Sequence, residues 1–312
     1  MQKNHNSGYF WQLPCFLLVF LAVFLNVSSI FAAEDYSKDF SVVRQGLEDG
    51  SFVPIAFQRP CSLISKDEKH FLVENIRWEV QPVKKCSWYA VPHKYSTVKI
   101  DLSKARHAII GRQTVSPIFI HSFLVVSFDK GGLVVDGQSS QGLVLTIEPL
   151  LRNDQHSLKV PIDMAKGKYP KIYQLTSWEN FTVFCGEIMQ QMAWLRPLRS
   201  DDPLIAAKLA ESMIEFAVKA PATEPFDYVN NNCGAGLYPI ISKALPDNEE
   251  KRLADVLKAS SKPNFSRWFQ KHLEAASLLD ETKSARMYRN NFFIPLEDLC
   301  KGFYKPQQVK LK

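Results

Sequence analysis

The chain has 312 residues, of which 46% are apolar and 22% charged, with a formal net charge of +6. That is ordinary globular composition, and it excludes a disordered, collagen-like or low-complexity protein. Lys and Arg are scattered, with no run of five like charges, so the clustered basic footprint of a nucleic-acid binder is absent.

The first 33 residues read as a targeting segment. Lys3 is the only charged side chain before Glu34, and an apolar run over 13–33 follows, broken mildly by Asn26, Ser28 and Ser29. Cleavage is expected after Ala32 or Ala33. The alternative is retention as an anchor, because about 20 apolar residues can span a bilayer. In either case the rest is exported, periplasmic or secreted, and an uncleaved 13–33 would keep it at a membrane. Cys15 lacks the small residue that would precede a lipoprotein acceptor.

Export changes how the cysteines read. Cys61, Cys86, Cys185, Cys233 and Cys300 remain, an odd number, so at least one thiol has no partner within the chain. Cys61 and Cys86 flank a strand-like segment and are expected to form a disulfide. Cys185 with Cys300 is a second expected bridge. The chain divides into an N-terminal lobe with strands (34–115), a core (116–247), and a C-terminal helical extension with a basic tail (248–312).

Residues 71–80 and 97–102 read as strands from their β-branched and aromatic content. The clearest β signal is 117–148: a long apolar strand over 118–128, a turn at Asp129-Lys130-Gly131-Gly132, a return strand over 133–136, and a third strand over 143–147. The near-continuous apolar runs predict a sheet covered on both faces. Helices follow. Ser177 is expected to cap one that reaches Trp194. Asp201-Asp202-Pro203 opens a second, with Pro203 at its first position and a stripe of Leu204, Ala207, Ala210, Ile214 and Ala217. Asp247 with Glu250 has capping-box spacing for a helix over 247–260. A further helix is expected over 264–280, and 301–312 reads as a poorly ordered basic tail.

Two residues stand out chemically. Cys233 lies in Asn230-Asn231-Asn232-Cys233-Gly234-Ala235-Gly236, a turn followed by an apolar helical segment. A thiol at a helix N-terminus is favoured as thiolate by the helix dipole, and the same free N–H groups can hold an oxyanion. His121 sits inside the apolar strand, where an imidazole costs free energy unless it is hydrogen-bonded. If the Asp129–Gly132 turn pairs 128 with 133, Gln138 opposes Phe123 on the face of His121, diagonal to it, and is positioned to orient the ring. Asp136 is one step farther. No zinc-ligand spacing, P-loop or GxGxxG is present, so no metal, nucleotide or other cofactor is expected.

The segment Pro117-Ile118-Phe119-Ile120-His121-Ser122-Phe123-Leu124, with Tyr228-Val229-Asn230-Asn231-Asn232-Cys233 and its Leu245-Pro246-Asp247 exit, resembles the circularly permuted papain-like (NlpC-type) cysteine hydrolases. In that superfamily the His-bearing strand precedes the Cys-bearing helix. The sequence is most similar to the Lnb-type N-terminal periplasmic domain, a relative of the lecithin:retinol acyltransferase-like enzymes. Ile120 stands where that family commonly has Gly. Gly234-Ala235-Gly236 replaces small polar residues and leaves room for a bulky substrate. The resemblance covers roughly 70–247. It implies an α+β permuted papain-like fold, an antiparallel sheet with the nucleophile helix packed on it and further helices C-terminal. It also implies a Cys233–His121 pair, with Gln138 or Asp136 third, acting on an amide, ester or thioester. The substrate would be a cell-wall peptide or a lipid or lipoprotein acyl group, and the reaction hydrolysis or acyl transfer. The alternative is a non-catalytic exported binding module on the same fold, with Cys233 structural.

Overall fold

The structure, a computed structural model, describes residues 40–80, 91–114, 120–153, 167–219, 224–227, 231–261, 268–279, 283–288 and 294–302. Its strands are β1 (Ser62–Lys66), β2 (His70–Val80), β3 (His93–Asp101), β4 (Ala105–Thr114), β5 (Ile120–Phe128), β6 (Leu133–Val135), β7 (Gln138–Ser139), β8 (Gly142–Pro149), β9 (Tyr169–Ser177), β10 (Met192–Pro197), β11 (Pro225–Phe226) and β12 (Ala285–Met287). The helices are α1 (Ser41–Asp49), α2 (Trp178–Thr182), α3 (Ile205–Val218), α4 (Cys233–Ala244), α5 (Asp247–Ala259), α6 (Phe269–Ala275) and α7 (Leu296–Gly302). The strands form one sheet in the order β12-β10-β4-β5-β8-β9-β2-β3-β6-β7, with β1 beside β2 and β11 beside β9. Pairing is antiparallel throughout except β2 with β9, which is parallel at Arg77–Thr176. The fold is therefore α+β. None of the described helices is long and apolar enough to cross a membrane.

Alternation along the central strands sends successive side chains to opposite faces. On one face Ile110, Leu124, Val126, Leu145, Ile147 and Leu175 pack against Leu209 and Met213 of α3, Leu237 and Ile241 of α4, and Phe269 and Leu273 of α6. On the other, Ile109, Phe123, Val125 and Val144 pack against Trp178 and Phe181 of α2 and Leu296 and Leu299 of α7. This two-sided cover is why β5 reads as a largely apolar run. Gly111 of β4 admits the Phe123 ring, which lies 2.1 Å from where a Cβ would stand.

Several expectations are corrected. The Asp129–Gly132 turn forms, with Gly132 N–H on Asp129 O at 2.9 Å, but it does not join a β5–β6 hairpin. β5 pairs with β4 and β8, whereas β6 pairs with β3 and β7. The hairpin is instead β6–β7, turned by Asp136-Gly137 at φ 48° and 81°. An Asp-Gly pair with both φ positive is the type I′ signature, and it competes successfully for the return strand.

Ser177 does cap a helix, accepting the Asn180 N–H at 3.0 Å. That helix ends at Thr182, passes through a π-turn over Val183–Ile188, and stops at Gln190 in the left-handed region, φ 51°. Trp194 is consequently in β10. α3 begins at Ile205 rather than Pro203, because the Asp202 carboxylate and carbonyl take the Leu204 and Ile205 N–H groups first. Leu204 is left exposed. α5 starts after Pro246 without a side-chain cap, and Asp247, Glu249 and Glu250 act through the first-turn dipole instead. Of the expected 264–280 helix, Phe269–Ala275 is helical, and 264–267 lie outside the described residues. Lys301 and Gly302 close α7, while 303–312 lie outside, as do 1–39.

Cys185 and Cys300 do not bridge. Both are buried free thiols in the cluster under α2 and α7, and Gln113 Nε2 donates to Cys185 Sγ at 3.1 Å. Cys61 is a buried free thiol too, and its expected partner Cys86 lies outside the described residues.

Candidate active site

The nucleophile candidate is set by a capped helix start. Asn232 is extended (φ −94°, ψ −174°), and its side-chain oxygen accepts the Ala235 N–H at 3.1 Å. Cys233 is thus the first residue of α4. Gly236 N–H is the first to bond back, to Asn232 O at 3.0 Å. The Gly234 N–H precedes any intrahelical carbonyl, as helix geometry requires. α4 comes down tightly on the sheet at this point. A Cβ on Gly236 would stand 2.7 Å from Ile147 Cδ1 and 3.3 Å from Lys171 Nζ. The small residues after Cys233 therefore serve helix–sheet contact, and at Gly236 the space expected for a bulky substrate is filled by Ile147 and Lys171.

The β5–β8 ladder ends at Phe123–Thr146. The next donor along β5, the Ser122 N–H, goes to Cys233 Sγ at 3.4 Å, and the Ile120 carbonyl lies 3.9 Å from the same sulfur. Cys233 is wedged where β5 and β8 part, close enough to the His121 ring for the two groups to be electrostatically coupled. The sulfur is buried, and His121 is half-buried. Burial disfavours a charged imidazole, but the Cys233 sulfur and the Glu148 carboxylate outweigh it and hold His121 above its ordinary pKa, with Arg77 opposing them.

The structure adds Glu148 of β8 to this pair. β5 and β8 pair with positions summing as Phe123 with Thr146, and continuing that register places Glu148 across from His121. Glu148 accepts from Thr146 Oγ1 at 2.6 Å, Arg77 Nη2 at 3.2 Å and Gln58 Nε2 at 3.1 Å. Burial pushes its carboxyl up, and the Arg77 guanidinium, Thr146, His121 and Gln58 pull it below the usual range. Gln138 and Asp136 are elsewhere: Gln138 is exposed on β7 opposite Val135, and Asp136 is exposed in the adjoining turn. The structure therefore brings Cys233 and His121 together and excludes Gln138 from them. The signal for Glu148 is a carboxylate directly after the largely apolar run Leu143 to Ile147, whereas Arg77 lies in a strand that also holds Glu74, Asn75 and Glu79 and carries no such signal.

A second cation is close by. Lys171 of β9 is buried and pairs with Glu224 at 3.0 Å. Burial lowers its pKa, while Glu224 and the Cys233 sulfur favour its charge. Burial drives the Cys61 thiol up to about 11, and those of Cys185 and Cys300 up to about 12. Among the described residues no group of three His, Cys, Asp or Glu side chains could hold a metal ion. Comparison with protein-family models, with curated proteins and with solved structures finds no match to this chain.

Proposed function

We propose that the chain is an exported thiol hydrolase or acyltransferase of the permuted papain-like kind. The observation that carries the reading is the juxtaposition of the Cys233 thiol and the His121 ring at the N-terminus of α4. The chain order supports it as well, with the His-bearing β5 ahead of the Cys-bearing α4. Cys233 Sγ forms a bond to an acyl carbonyl carbon as its proton passes to the His121 ring. The α4 N-terminus, with the Gly234 N–H, stabilises the tetrahedral oxyanion. His121 then returns the proton to the leaving nitrogen, oxygen or sulfur as that bond breaks, which leaves a thioester. Water resolves it in hydrolysis, and an amine or hydroxyl resolves it in acyl transfer. Glu148 steadies the imidazolium. The acyl donor is a cell-envelope peptide, lipid or lipoprotein group.

The test is labelling by an acyl-type electrophile with Cys233→Ala as control. Labelling of the wild type that is lost in Cys233→Ala and strongly slowed in His121→Ala supports the reading. Equal labelling of wild type and His121→Ala, or none at Cys233, assigns Cys233 a structural role in a binding module.

A further inference from the structure

On the face of the sheet that packs against α3, α4 and α6, one residue row runs across four strands. Arg286 of β12 pairs with Trp194 of β10, Trp194 pairs with Arg112 of β4, and Arg112 pairs with Ser122 of β5. Arg196 stands two residues beyond Trp194 on the same face. Here the side chains do not form an apolar core. Arg112, Trp194, Arg196, Gln270, Ser284 and Arg286 line an open cleft of about 190 Å³. The Arg112 guanidinium lies over the Trp194 ring, 5.1 Å from its centroid.

The polar atoms of this cleft are incompletely used. Arg196 and Gln270 are 7% and 8% exposed. Glu274 takes Nη1 of Arg196, but its Nε and Nη2 have no hydrogen-bond partner among the described residues, and neither has Nε2 of Gln270. Buried donors without acceptors are costly and uncommon in a folded protein. The unused Arg196 and Gln270 donors come from a strand and a helix, and the guanidinium groups of Arg112 and Arg286 line the same cleft, so N–H groups and positive charge are concentrated where an anion would sit. A phosphoryl group offers three or more acceptor oxygens, and Arg binds it in bidentate fashion. The volume is below the roughly 300–1,000 Å³ of pockets that enclose a whole ligand. It suits a head group whose remainder extends outside.

We propose that this cleft is a binding site for a phosphoryl-bearing ligand. The inference goes beyond the thiol chemistry and does not depend on it. The row nevertheless leads from the cleft to Ser122, whose N–H contacts Cys233 Sγ and whose buried Oγ has no partner among the described residues. The cleft is thus about two strand spacings, roughly 10 Å, from the thiol.

The experiment is isothermal titration of the full chain and its Cys233→Ala variant with inorganic phosphate, glycerol 3-phosphate and glycerophosphoethanolamine. Saturable binding is expected, unchanged by Cys233→Ala. Arg286→Gln, at an exposed position where folding is not at risk, should raise Kd at least tenfold, and Arg112→Gln should do likewise. Lys251→Gln, which removes the same charge from the surface of α5, should leave Kd within twofold. Tighter binding of the monoester identifies a soluble phosphorylated ligand, and tighter binding of the diester a lipid head group. Either supports the site. No saturable binding of any probe, or equal weakening by Lys251→Gln and Arg286→Gln, overturns it.

Discussion

Glu148→Gln separates the two roles that the structure assigns to this carboxylate. The side chains of Arg77 and Glu148 are 4% and 15% exposed and 3.2 Å apart, so the charge pair is largely desolvated. Glutamine keeps the shape, so the packing around Thr146 and Gln58 survives, but Arg77 is left as an uncompensated buried charge. Breaking a buried pair on one side typically costs about 3–5 kcal/mol, a large share of the roughly 5–15 kcal/mol that holds a domain folded. Replacing both partners with Leu removes the charge that needed compensation, and such swaps are often neutral. The double variant should therefore regain most of the lost stability in urea denaturation at pH 7. His121 should behave differently. Its raised pKa rests partly on Glu148, so its NMR titration midpoint should fall in Glu148→Gln. The double variant also removes Arg77, which opposes that charge, so its midpoint should lie between Glu148→Gln and wild type. The sign for stability follows. A raised His pKa contributes stability that is fully present below the unfolded value near 6.5 and is lost as pH rises through the folded value. Glu148→Gln should diminish that contribution. A loss below about 1 kcal/mol in the single variant, or an unmoved His121 titration, would refute the reasoning.

Other outcomes follow from named contacts. His121→Ala should slow acyl transfer to Cys233 by about 10² to 10⁴, the usual worth of general-base assistance. Gln138→Ala should leave the rate unchanged, because Gln138 is exposed on β7, and a comparable loss there would contradict the strand pairing. Gly236→Ala forces a Cβ to 2.7 Å from Ile147 Cδ1. It should cost about 1–3 kcal/mol as overpacking and slow Cys233 alkylation, whereas an unchanged rate would mean that the α4 start tolerates displacement. Burial, aided by Arg77, lowers the His93 pKa to about 3. The unfolded chain binds that proton near pH 6.5, so stability should fall with decreasing pH between those values by up to about 1.4 kcal/mol per unit. His93→Gln should flatten that slope in urea denaturation, and an unchanged slope would assign the acid sensitivity to another group.

The residues most legible in the sequence were those whose local chemistry suffices. The Asn-Asn-Asn-Cys-Gly turn specified a helix start at Cys233, since an Asn side chain caps the helix that it precedes. The apolar run that continues through Phe128 specified a strand, seen over Ile120–Phe128 and buried on both faces, and an imidazole inside it demanded a partner. Ser177 announced its helix in the same way. These are interactions within four residues or within one strand, and they need no knowledge of the rest of the chain.

What the sequence could not decide is which strands lie side by side. Register arithmetic across the Asp129–Gly132 turn points to Gln138, because a tight turn ordinarily joins neighbouring strands. The pairing of β5 with β8 instead brings Glu148 to His121, and the turn at Asp136-Gly137 carries Gln138 away. Pairing is settled by the burial of whole faces, which sums over residues far apart in the chain. For the same reason no local signal revealed the arginine row, since Arg112, Arg196 and Arg286 meet only when β4, β10 and β12 become adjacent. The nature of the thiol site was therefore written locally around Cys233 and His121. Its third member and its charged neighbourhood were decided only by the tertiary structure, because buried charges are placed by the sheet as a whole.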